Sequence, residues 1–176
     1  MVDDTEKARH WRYYLILERD FETVLRYIEP DPRNHQVFSL ELAKQLLSIA
    51  AQFETIVRLY CQERIPGSVS TSMPGWAEDL VQYRAEFPIA IVTFMTRNEP
   101  IKPFAEWGQT PVASTDWWRA YNKIKHDPLA GLEGATLISV RDALAGLALL
   151  TFAYATADNV LRPSEVFALN RWHDYL

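Results

Sequence analysis

Cysteine is almost missing from this 176-residue chain, which holds only Cys61. A lone thiol excludes an intramolecular disulfide and a thiolate metal cluster, and at the end of an apolar run it reads as a small core residue. Glycine is scarce too, six in all, and none falls at the spacing of a Walker A or dinucleotide-binding loop. No Gly-x-Ser-x-Gly elbow occurs. The histidines His10, His35, His126 and His173 lie in separate segments, with no i, i+4 pair and no carboxylate at zincin spacing, so neither a metal nor another cofactor is expected. Positive charge is in deficit. A net charge of −5 excludes a broad, sequence-independent grip on nucleic acid, so any phosphate contact has to be local. The most apolar run, Ala143 to Ala157, is broken by Thr151 and Thr156 and falls short of the ~20 residues of a membrane span. The first residues, Met1 to Glu6, are acidic and unlike a secretion signal. A cytoplasmic protein with no membrane partner is expected.

What remains is ordinary globular material: 48% hydrophobic and 23% charged residues, enough for one domain over 1–176 with a real core. Trp11, Leu15, Leu17, Phe21, Val24, Leu25 and Ile28 recur at helical spacing and predict a first helix from about Thr5 to Ile28, stopped by Pro30 and Pro32. Glu18 falls near its apolar stripe and needs a partner if buried. Leu42, Leu46, Ile49, Phe53, Ile56 and Tyr60 alternate spacings of four and three, predicting a second helix capped by Ser39 and running to about Arg64. Pro66-Gly67 and the run Ser68 to Ser72 read as a surface loop. Trp76 to Phe87 reads as a short helix, and Ile89 to Met95 with Ile101 to Phe104 as a small hairpin turned by Arg97 to Pro100. Ser114, Thr115 and Asp116 can start a helix ending at Asp127-Pro128. Ala135 to about Val160 is the most apolar helix, destined for the centre of the bundle or a subunit contact. Pro163-Ser164-Glu165 can open a short last helix ending near Trp172. The fold expected is an all-α bundle of five to six helices with a minor β-hairpin near residues 89–104.

The chemistry concentrates in Trp117-Trp118-Arg119-Ala120-Tyr121-Asn122-Lys123-Ile124-Lys125-His126. A helix turns about 100° per residue, so Arg119 and His126, seven positions apart, point within roughly 20° of each other, with Asn122 between them. A fixed cation, an amide and the side chain that titrates near neutrality therefore share one face. Plainer roles exist for each. Lys123, Lys125 and His126 suit the negative end of a helix dipole, Arg119 can pair with Asp116, and the two Trp can be core anchors.

The string Arg119-x6-His126, with a polar Asn122 inside it, resembles the signature of HEPN domains, and so does the order of helices around it. The motif covers about ten residues and the layout most of the chain. The resemblance implies an all-α homodimer acting as a metal-independent endoribonuclease or RNA-binding protein of toxin or defence type. Single-stranded RNA and an antitoxin protein are the partners it suggests. His126 would serve as general base or acid, Arg119 would steady phosphoryl charge, and Asn122 would orient either. Lys123 and Lys125 would guide the backbone in, while Glu18 and Glu54 are candidates to hold Arg119. The alternative is a non-catalytic helical interaction protein in which the same face fixes a dimer.

Overall fold

The computed structural model describes residues 4–155 and 163–169. Among them are five α-helices: α1 (Asp4–Leu25), α2 (Leu40–Arg64), α3 (Met73–Tyr83), α4 (Asp116–His126) and α5 (Leu137–Ala155). The remaining regular structure is a three-stranded antiparallel sheet of β1 (Val92–Phe94), β2 (Glu99–Ile101) and β3 (Phe167–Ala168), in the order β2-β1-β3. The helical bundle with a small hairpin is therefore the architecture found.

Each helix buries the stripe its sequence prescribes. Leu42, Leu46, Ile49, Phe53, Ile56 and Tyr60 are all buried along α2, and Ser39 Oγ accepts from Leu42 N at 3.1 Å as the expected N-cap. Helix α5 is buried almost all round and packs on α1, α2 and α4, which puts it at the centre of the bundle. By length and composition it could cross a membrane, which corrects the estimate from its broken apolar run, but most of it lies inside the fold. Buried residues of all five helices belong to one apolar cluster.

The hairpin is shorter than expected. Residues 87–89 form a 3-10 turn around Pro88, so β1 starts only at Val92, and β2 starts at Glu99 rather than Ile101. Asn98 makes the reversal in the left-handed region at φ 51°, a conformation Asn tolerates better than most residues. Pro100 is accommodated because β2 is an edge strand. The helix expected from Pro163-Ser164-Glu165 is not formed. Residues 163–169 bend and then pair as β3 with β1, Phe167 opposite Phe94. The rest of that expected helix lies outside the described residues.

Glu18 anchors the start of this segment. Its carboxylate is buried on α1 and accepts from Tyr14 Oη at 2.6 Å, from Ser164 Oγ, from Glu165 N at 3.1 Å and from Val166 N at 3.4 Å. A carboxylate on these amides would cap a helix equally well; the segment becomes a strand because it pairs with β1, where Met95 N also donates to Val166 O at 2.9 Å.

A second polar group joins α1, α2 and α5. Lys7 Nζ meets Glu63 Oε1 at 2.5 Å and sits 4.9 Å from the centre of the Tyr154 ring. Beside it His10 Nδ1 pairs with Gln52 Nε2 at 2.9 Å, while His10 Nε2 is buried without a partner among the described residues. Burial lowers the His10 imidazole below its ordinary value, more than the nearby Glu6 carboxylate raises it. A depressed imidazole contributes stability above its unfolded value of about 6.5, and that contribution is lost as pH falls through the lower folded value. Urea midpoints should therefore fall between pH 7 and pH 5, and His10→Gln should flatten part of that fall. An unchanged slope in the variant would remove His10 as its source.

Candidate functional site

Helix α4 is built to show one face and hide the other. Trp117, Trp118, Tyr121 and Ile124 are buried. Phe53 of α2 packs edge-on against Trp117, with ring centres 5.0 Å apart, and Trp118 stacks obliquely on Tyr121 at 4.8 Å. Trp117 Nε1 donates to Pro103 O at 3.2 Å. Both tryptophans are thus core anchors, not platforms for bases. Pinning this side fixes the rotation of α4 and leaves Arg119, Lys123 and His126 exposed, with Asn122 half-buried.

The two ends of α4 are held differently. At the N-terminus Thr115 occupies the cap position but makes no side-chain capping bond. Arg119 folds back instead, its guanidinium donating to Ser114 O and to the Asp116 carboxylate. At the C-terminus Asp127 Oδ1 accepts from Leu129 N at 3.2 Å and Ala130 N at 3.0 Å. Gly131 N closes the turn on Asp127 O at 2.8 Å. The absence of a Cβ at Gly131 lets this turn lie against the backbone of α4 at Ile124.

Of the residues singled out in the sequence, Arg119, Asn122, Lys123 and His126 share the outward face. Asn122, Lys123 and His126 have no hydrogen-bond or ion-pair partner among the described residues. Arg119 has both its contacts at the far end of the helix from His126, whose Cα lies about 10 Å along the axis at 1.5 Å per residue. Within one chain the guanidinium and imidazole therefore do not converge. Both Arg119 contacts are to solvent-exposed groups, and pairs of that kind contribute about 0–1 kcal/mol. Lys125 departs from the group. It lies 5.3 Å from the centre of the Tyr121 ring, where hydrogen bonding to Tyr121 and the more distant Glu54 carboxylate hold its ammonium above the ordinary value.

The carboxylates proposed for Arg119 are placed elsewhere. Glu18 is committed to the 164–166 turn, and Glu54 forms no ion pair with Arg119, whose guanidinium is held at Ser114 and Asp116. Cys61 is buried as expected, and burial pushes its thiol up to about 12, so it is not a nucleophile near neutrality. No group of three or more potential ligands for a metal occurs among the described residues. One feature escaped the sequence reading, a cleft where Glu54, Arg58 and Gln62 of α2 face Ser68 to Thr71. A charged pair on the polar side of a helix beside a serine-rich loop gives no local signal that the two enclose a space.

Comparison with family models, curated proteins and solved structures finds no match to this chain.

Proposed function

We propose that this chain is a HEPN-like RNA-binding protein whose α4 face engages the phosphodiester backbone and cleaves it without a metal. The observation that carries the proposal is the outward stripe of Arg119, Asn122, Lys123 and His126, kept open to solvent by a buried aromatic face behind it. A local cationic stripe on a chain of net charge −5 suits a small number of phosphate contacts, not a general hold on nucleic acid. His126 is the proton carrier, and Arg119 leaves Asp116 to stabilise phosphoryl charge. Asn122 orients the ring or the phosphate, and Lys123 with Lys125 draws the strand in. Because Arg119 and His126 diverge along one helix, the active arrangement takes them from two copies of the chain, so that acid and base both come from His126 residues.

Single-stranded RNA incubated with the protein in EDTA is expected to be cut, leaving 2′,3′-cyclic phosphate ends. Arg119→Ala and His126→Ala are each expected to lower the rate at least 100-fold, in the range that a positioned acid or base supplies, without altering the oligomeric state. The resemblance further implies an antitoxin partner.

The contact of Arg119 with Asp116 and Ser114 favours a second reading, a non-catalytic interaction protein in which this face only fixes a dimer. No cleavage by the parent chain, together with monomeric Arg119→Ala and His126→Ala variants in light scattering, selects that reading.

A further inference from the structure

Helix α2 and the loop before α3 enclose a cleft of about 300 Å³, at the small end of the range that ligand pockets occupy, about 300–1,000 Å³. Glu54 and Arg58 stand on its α2 wall. They are four residues apart, the spacing at which a carboxylate and a guanidinium on one helix commonly pair. Here they form no ion pair. Neither Arg58 nor Glu54 has a hydrogen-bond or ion-pair partner among the described residues.

The opposite wall is fixed in advance. Ser68 Oγ donates to Asp79 Oδ2 at 2.6 Å, and Ser70 O accepts from Trp76 Nε1 at 2.7 Å. The Ser70 side chain fills the notch left by Gly75, where a Cβ would come within 2.8 Å of Ser70 Oγ. The Ser70 and Thr71 hydroxyls remain without partners among the described residues.

An uncommitted guanidinium, an uncommitted carboxylate and two hydroxyls in one small cleft suit a ligand with an anionic group and neighbouring hydroxyls. A guanidinium matches a phosphate, and a carboxylate accepts hydrogen bonds from a ribose diol. We infer that the cleft is a ribonucleotide subsite, with Arg58 on the phosphate and Glu54 on the 2′-hydroxyl. The inference rests on the RNA reading of α4, which packs against the same helix α2 that forms this wall. The 2′-hydroxyl distinguishes RNA from DNA at a given position, and Glu54 would read the one on the nucleotide held in the cleft.

The test uses adenosine 5′-monophosphate, its 2′-deoxy form and inorganic phosphate, read by the indole N–H resonance of Trp76 in the full chain. The resonance is assigned by its loss in Trp76→Phe. The ribonucleotide is expected to shift this resonance and to bind about tenfold tighter than the deoxynucleotide, with inorganic phosphate weaker still. Glu54→Ala should bring the two nucleotides level, and Arg58→Ala should weaken both about tenfold. An unmoved Trp76 resonance, equal binding of the two nucleotides, or phosphate binding as well as the ribonucleotide would overturn the assignment. A silent Trp76 in a chain that still binds RNA through His126 and Lys123 removes the subsite alone. Ribonucleotide bound at Trp76 in a chain whose RNA binding ignores those residues removes the α4 reading instead.

Discussion

Gly131→Ala should lower the melting temperature by about 10 °C. A Cβ built on Gly131 lies 2.6 Å from Ile124 N, 2.7 Å from Ile124 Cα and 2.8 Å from Asp127 O. All three are backbone atoms, so no rotamer change relieves the contact. Either the turn after α4 lifts off or the last turn of α4 distorts. Forcing one methyl group into a filled site costs about 1–3 kcal/mol, and the upper end applies where the obstacle is main chain. In a domain of this size each kcal/mol corresponds to about 2–4 °C. The damage falls on the segment carrying Lys123, Lys125 and His126, so RNA binding measured well below the melting temperature should weaken as well. A variant melting within about 2 °C of the parent would show that the turn is not held against α4 in solution.

Glu18→Ala should be more costly, about 4 kcal/mol by urea unfolding. The substitution removes the acceptor for the Tyr14 hydroxyl, the Ser164 hydroxyl and the Glu165 and Val166 amides in one step. Each buried donor left unmatched costs about 1–3 kcal/mol, offset in part where water enters. Because the same carboxylate seats β3, amide exchange at Phe167 and Ala168 should accelerate more than exchange in the middle of α2. Glu18→Gln keeps the volume and one acceptor oxygen but turns an NH2 toward donors, so it should recover less than half of the loss. Full recovery by Gln would mean that shape, not the carboxylate's acceptor capacity, holds this end of the chain.

These two positions show how differently the sequence exposes its own structure. Helix α2 was legible because Leu42 to Tyr60 repeat every three or four residues, a pattern that survives any arrangement of neighbours. The exposed face of α4 was legible for the same reason: four buried apolar side chains leave Arg119, Asn122, Lys123 and His126 on the other side. Strand β3 was not. Pro163-Ser164-Glu165 has the composition of a helix start, and the segment becomes a strand by pairing with β1, far away in the chain. Local pattern carries no information about such a partner. Arg119 was legible in both of its alternatives, the shared face with His126 and the short-range pair with Asp116, and in the free chain the second governs where its guanidinium points. The cleft was hidden because Glu54 and Arg58 look like any solvated helix face until the Ser68 to Thr71 loop is brought against them.

The claim on which the functional reading depends is that RNA meets α4 at His126. An uncleavable 2′-O-methyl single-stranded RNA, titrated into protein with 15N-labelled histidine, addresses it directly. Saturating RNA should shift and broaden the His126 ring resonances while those of His10, which pairs with Gln52 away from α4, stay in place. Bound RNA with the His126 ring resonances unmoved would contradict it.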